Sequence, residues 1–312
     1  MFYPRLAFLI LPFTRLELPG WGKLYQFFRV GGIQNNSLWK DAPTKMIKEK
    51  WSGYWLKLNL DNWSERHTYF LGRYYDLDLQ LVMAQLLKPG DRFIDIGANI
   101  GMLTLKGASL VGKLGRVDSF EPNPNCCKRI RDNLELNQIN NVYLHQVGLS
   151  DKTDTLKLSI ITEHSGMGTL SELRQEDQKL VTDVFDVSVL RGDEIVMQDL
   201  TPVKFIKIDV EGYELNVLKG LYKSLNAWYP IVITEVVNEW LKRSGTNRSE
   251  ICKFMDELGY FPYGLSTKRR FLKHDLSLER IKEQEVENSQ FTDFLWIHPE
   301  SLGKETLTKF MC

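Results

Sequence analysis

Cysteine is scarce in this sequence, with four in 312 residues, and no two of them are spaced as Cys-x-x-Cys. Cys126 and Cys127 are adjacent, and Cys312, the last residue, lacks the three following residues of a prenylation signal. A reducing cytoplasm is the simplest compartment for such thiols. Long hydrophobic runs are also missing. The apolar stretch from Leu6 to Phe13 contains a proline, is too short to span a bilayer and lacks a small-residue cleavage site, so neither a transmembrane helix nor a signal peptide is expected. An excess of one charge is absent too: 40 basic and 40 acidic residues leave a formal net charge of zero, which argues against a nucleic-acid partner. Hydrophobic residues make up 43% of the chain, and 312 residues can bury one large core, or one domain with a sizeable extension.

The charge is unevenly spread. Residues 1–90 hold 12 Lys and Arg against 7 Asp and Glu, a balance of +5, which leaves −5 for the remainder. Solvated surfaces account for this at a screening length of about 8 Å. An anionic membrane surface or acidic glycan facing the front segment is the sharper reading, and it leaves a weak peripheral membrane contact open. Residues 1 to about 67 follow no clean period and hold five of the eight tryptophans, Trp21, Trp39, Trp51, Trp55 and Trp63. They are expected to form a cap over a main domain at 68–312. The rings serve as its core, or some of them as a stacking platform for sugars. Trp51 and Trp55, four apart, would share a face if helical.

The most informative stretch is Phe93-Ile94-Asp95-Ile96-Gly97-Ala98-Asn99-Ile100-Gly101, followed about twenty residues later by Val117-Asp118-Ser119-Phe120-Glu121-Pro122. The pair reads as two parallel strands joined by a helix, with a glycine turn after the first and an acid closing the second. Glycines let the backbone approach a ligand, and a carboxylate at the second strand's end is placed to accept ribose hydroxyls. The turn lacks the Gly-x-Gly-x-x-Gly spacing of pyrophosphate sites, since Asn99 stands at the second glycine's place. S-adenosyl-L-methionine, with a ribose and a sulfonium but no phosphate, suits this turn. Asp95, Gly97, Asn99 and Gly101 are expected to shape its site, with Glu121 on the ribose, Asn123 close behind, and Gly148 and Leu149 bordering the adenine.

Helix patterns near 74–88, 124–137, 213–225 and 248–258 alternate with strands near 142–147, 155–160, 203–209 and 231–236. Tyr260–Tyr263 and Phe291–Ile297 read as an antiparallel pair at the sheet edge. This alternation predicts an α/β doubly wound, mostly parallel sheet with ligands at the strands' C-terminal ends. Asp209, Glu211 and Glu235 end two of those strands and should gather beside the turn. Methyl transfer to a hydroxyl needs an oxygen held in line and a base for its proton, and a carboxylate fits the second need. Glu211 or Glu214 has a simpler reading as the cap of the following helix. The Asn-Pro-Pro-aromatic turn common in nitrogen methylation is absent, so an oxygen acceptor is expected. Lys207, within a buried strand, calls for a partner, Asp95 or Glu235, the alternative being a direct role near the acceptor. His145 reads as packing, whereas His164 is a weaker candidate acid or base in a polar loop. No metal is required, although the three carboxylates could bind Mg²⁺.

In this order, Gly72-Arg73-Tyr74-Tyr75-Asp76, the Phe93–Gly101 block, Glu121-Pro122-Asn123 and Ile206-Lys207-Ile208-Asp209-Val210-Glu211-Gly212 resemble the FkbM-type S-adenosylmethionine-dependent methyltransferases, over about residues 68–297. The resemblance implies a class I methyltransferase fold and O-methylation, often of sugar hydroxyls in glycolipids, polysaccharides or natural products. The expected acceptor is a hydroxyl-bearing sugar or glycoconjugate. Two alternatives are a protein or small-molecule N-methyltransferase on the same fold and a nonenzymatic membrane-surface module.

Overall fold

The computed structural model describes residues 3–161, 168–170, 177–270 and 273–311. Its strands are β1 (Thr44–Lys48), β2 (Trp55–Asn59), β3 (Arg92–Ile96), β4 (Arg116–Phe120), β5 (Val142–His145), β6 (Gly148–Ser150), β7 (Asp154–Ile161), β8 (Gly168–Thr169), β9 (Val181–Arg191), β10 (Val203–Ile208), β11 (Ile231–Glu235), β12 (Phe261–Arg270), β13 (Lys273–Arg280) and β14 (Asp293–Ile297). Eight form the central sheet in the order β13-β12-β14-β11-β10-β3-β4-β5. The five from β11 to β5 run parallel, and the central ones are doubly buried, as the β-branched Ile231-Val-Ile-Thr-Glu235 of β11 shows. Apolar cores lie on the two faces, one around Ile94, Ile206 and Trp296, the other around Phe93, Phe205 and Leu295. Alternate residues of single strands thus serve opposite layers.

This is the doubly wound, mostly parallel sheet that the alternation predicts, with three differences of detail. Phe261–Gly264 and β14 do pair antiparallel, but β14 sits inside, against β11, and the outer edge is the hairpin of β12 with β13. The strand expected near 155–160 lies outside the central sheet. It forms β7 of a second sheet, ordered β6-β9-β7-β8, which stands over the end of the nucleoside turn. Alternation alone says that a segment is a strand, not which sheet it joins. Thirdly, Trp51 and Trp55 are not helical: Trp55 begins β2, paired with Lys48, and Trp51 lies in the turn before it.

The front segment packs short helices and the β1–β2 hairpin against the main domain. Trp39, Leu58 and Phe70 share one core with Ile100, Met102, Leu105 and Cys126 of the domain. The helix Trp63–Leu71 runs unbroken through residue 67, capped at its start by the Asn62 side chain, which accepts the Ser64 N–H, and at its end by Gly72 with a left-handed backbone. Among the described residues no helix is long and apolar enough to cross a membrane.

Candidate active site

β3 ends at Ile96, and the chain turns at Gly97 with φ +73°. Only glycine fits there, because a Cβ would stand 1.8 Å from the Asp209 carbonyl oxygen. Gly101, at φ +84°, opens the helix Met102–Val111 and lies against Ile130 of the neighbouring helix. Between them Asn99 holds a left-handed backbone, φ +52°, that aims its N–H at Glu121. Non-glycine residues adopt this conformation mainly where the surroundings enforce it.

Glu121, just past β4, is buried, and each of its oxygens takes one backbone N–H: Oε2 from Asn99 at 2.7 Å and Oε1 from Asn123 at 2.8 Å. A carboxylate has about four acceptor positions, so two such bonds leave capacity for vicinal hydroxyls. Burial pushes its pKa up to about 7 despite those bonds. The Asn123 side-chain oxygen is taken up in capping the helix Pro124–Leu136 through the Asn125 N–H, so this residue serves the site by fixing Glu121. Gly148 and Leu149 line the cleft beside Glu121, from β6 of the second sheet. Leu158 and Leu170 close the same cleft. Asp95 does not line it. Its carboxylate is fully buried, accepts the Thr104 hydroxyl at 2.6 Å and lies 3.4 Å from Lys207 Nζ, so it braces the turn from behind.

Lys207 finds the partner that a buried charge needs, and more. Its ammonium donates to the Gly97 carbonyl at 2.6 Å and stands 3.4 Å from Asp95 and 3.5 Å from Asp209. It clamps the end of β10 to the end of β3. Beyond it Asp209, Glu211 and Glu235 each bring an oxygen within 4.8 Å of the others. Glu211 is held in a left-handed backbone, φ +53°. Glu214 reaches back to accept the Val210 and Gly212 N–H groups, so the simple capping role falls to Glu214 and leaves Glu211 facing the cavity. Burial first, and then the Asp209 charge, raise the pKa of both Glu211 and Glu235.

These acids, the turn and the front segment line one cavity of about 680 Å³. Of the five front tryptophans expected as core or stacking platform, Trp63 is a wall of it, and the sequence reading missed several other walls: Tyr74, Tyr75, Asp76, Trp240 and Asp293. Asp293 pairs with Glu235 across β11 and β14 and is pushed up to about 7, mainly by burial. Tyr74, Tyr75 and Asp76 lay within a quoted motif, so a signal for them existed. Arg73 fixes them: its guanidinium donates to the Tyr74 and Tyr75 carbonyls and, from Nε and Nη2, to Glu17 at 2.9 and 3.0 Å. His145 stacks on Phe120 with ring centroids 4.5 Å apart, a packing role. His164 lies outside the described residues.

The sequence profile described as the methyltransferase FkbM domain matches residues 95–262, just over half of the chain, a range that includes Asp95, Asp209, Glu211 and Glu235. The chain belongs to the FkbM methyltransferase domain family. S-adenosylmethionine is the cofactor of that family, and a turn without the pyrophosphate spacing, next to the buried Glu121 carboxylate, fits it. "Methyltransferase 1" of Beauveria bassiana is 32% identical over 152 residues, which cover 43% of this chain and 59% of that protein. The chain therefore spans less than two thirds of this relative. "Hexuronic acid methyltransferase AglP" of Haloferax volcanii is 25% identical over 181 residues, 58% of this chain and 67% of that one. Among solved structures, methyltransferase FkbM from Methylobacillus flagellatus aligns over 81% of this chain and 56% of its own, at 12% identity and a TM-score of 0.39.

Proposed function

We propose that this chain is an S-adenosylmethionine-dependent O-methyltransferase acting on a hydroxyl of a sugar or glycoconjugate. The observation that carries the reading is the junction at Gly97 and Asp209, where the cofactor turn and the acceptor-side acids meet in one cavity. When bound, the cofactor supplies an electrophilic methyl on a positive sulfonium. Glu121 would hold its ribose, Asn99 and Gly97 would shape the bend around it, and Gly148 and Leu149 would face the adenine. On the acceptor side, Asp209 stands 3.5 Å from the Lys207 ammonium with its side chain 42% exposed, and it is the proposed base. Glu211 and Glu235, pushed towards their protonated forms, would then orient the acceptor by donating hydrogen bonds. Residues 1–67 would form the cap of the acceptor cleft, with Trp63 and Tyr75, 5.0 Å apart, offering apolar faces to a sugar ring.

The relative named for hexuronic acid and the missing Asn-Pro-Pro-aromatic turn both support a sugar oxygen over a nitrogen. Incubation with methyl-labelled cofactor and a panel of alkyl hexosides and amines, followed by mass spectrometry and NMR, tests the reading. A labelled methyl ether on the glycosides is the expected product. Label found on nitrogen, with the glycosides untouched, overturns the oxygen assignment.

A further inference from the structure

The exposed large apolar side chains are not evenly distributed. Leu6, Leu9, Leu24, Phe27 and Leu38 all come from the first forty residues, and Leu6, Leu9 and Phe27 are 68%, 76% and 77% exposed. Leu6 and Leu9 are three apart in the 3₁₀ helix Arg5–Ile10, where that spacing puts side chains on one face. Leu24 and Phe27 repeat the arrangement in the helix Trp21–Phe27. Leu6, Phe27, Phe28 and Leu38 line a single surface groove, and Arg5 and Arg29 line it with them. Across residues 3–45 there are six bases, Arg5, Arg15, Lys23, Arg29, Lys40 and Lys45, against two acids, Glu17 and Asp41. Glu17 is buried and already bound to Arg73 and Lys50, so the outward charge is more positive still.

We infer that this face docks on an anionic lipid bilayer, with the leucines and phenylalanines entering the headgroup layer and the bases on its phosphates. Bulky apolar groups flanked by bases, here Arg5 and Arg29, are what an interfacial contact requires; the charge disfavours a neutral protein groove, and protruding, separately exposed apolar side chains suit a headgroup layer. The face is rigidly joined to the cavity. Val30 and Gly32 give their carbonyls, and Asn36 its side-chain oxygen, to the buried Arg66 guanidinium at 2.6, 3.2 and 3.0 Å. Gly32, Ile33 and Gln34 of the same loop form a wall of the acceptor cavity. Docking would therefore set one rim of that cavity against the membrane surface. The inference concerns the surface alone and holds whichever atom is methylated.

Vesicle sedimentation of the full chain tests it, using phosphatidylcholine vesicles with and without about a third phosphatidylglycerol. Binding to the anionic vesicles only, weakened at least about tenfold by Leu6→Ser with Phe27→Ser and again by Arg5→Gln with Arg29→Gln, is the expected result. All four positions are exposed, and unchanged thermal melts check that the variants fold. Equal binding by wild type and variants, or none to anionic vesicles at low salt, overturns the inference. So does light scattering that shows a dimer dispersed by the serine variants without vesicle binding, since a second copy would then cover the face.

Discussion

The Asn99 backbone N–H donates to Glu121 Oε2 at 2.7 Å, across the gap between the ends of two neighbouring parallel strands. The bond fixes the carboxylate before any ligand arrives, so its remaining acceptor positions are preorganised. Glu121→Ala is expected to weaken S-adenosylhomocysteine binding at least about tenfold, since a hydrogen bond to a charged group contributes about 1.5 to 3 kcal/mol. Because Glu121 titrates near 7, wild-type affinity should fall as pH drops from about 8 to 6 and the carboxylate takes up a proton. Calorimetry that finds flat affinity across this range would remove Glu121 from the ribose site.

Asp209→Asn and Glu211→Gln nearly preserve shape while removing a charge. If Asp209 is the base, Asp209→Asn lowers kcat about 10²-fold or more with cofactor affinity little changed, and Glu211→Gln is the milder lesion. The ranking reverses if Glu211 takes the proton. Activity is expected to survive EDTA. Loss of activity on chelation, restored by Mg²⁺, would instead make Asp209, Glu211 and Glu235 metal ligands, a role that their mutual spacing allows.

The cofactor-free protein should be less stable in mild base than in mild acid. Asp76, Glu121, Glu214 and Asp293 are raised to about 6, 7, 7 and 7, and Glu211 and Glu235 are raised as well. An acid whose folded pKa is raised contributes stability that is full below its unfolded value, 3.8 for Asp and 4.5 for Glu, and lost as pH rises through the folded value. Glu17 is depressed to about 2, so its contribution disappears only on acidification below that window. Melting temperature should therefore fall between about pH 5.5 and 8.5, and Glu235→Gln should raise it at the upper end. A Tm that climbs steadily over this interval would contradict the account.

Glu17 is the anchor between the front segment and the Arg73 turn. Glu17→Ala leaves Arg73 buried and short of its partner, which costs about 3 to 5 kcal/mol when such a pair is fully desolvated. Urea unfolding should register most of that loss. Because Arg73 holds the Tyr74 and Tyr75 carbonyls, the acceptor KM should rise more than the cofactor Kd. A stability change under about 1 kcal/mol would place this bridge among ordinary surface pairs.

The sheet's centre was legible because β3, β4, β10 and β11 are short strands, each closed by a glycine or an acid, a local signal. Asn99, Glu121 and Asp209 followed from position relative to those ends. What stayed hidden depends on contacts between distant segments. Asp293 reaches the cavity only through the register of β14 against Glu235, and that Trp63 lines it, of the five front tryptophans, follows only from the fold of the front segment. The burial of Asp95 behind the turn was equally invisible, since strand alternation cannot tell a residue that touches a ligand from one that braces the loop that does. The membership of β7 in a second sheet rests on pairing with β9, some thirty residues away.

The Asp209 carbonyl occupies the place where Gly97 would carry a side chain, and so, in the proposed reaction, its two halves share a bearing surface. A methyl group added to the glycine could be accommodated only by pushing the Asp209 peptide outward. Gly97→Ala should thus behave as a lesion in two places at once, slackening the grip on the nucleoside and misaligning the proton acceptor, with kcat falling even when the cofactor is saturating. The turn that sequence inspection reads as a nucleoside device is also the ruler against which the acceptor side is set.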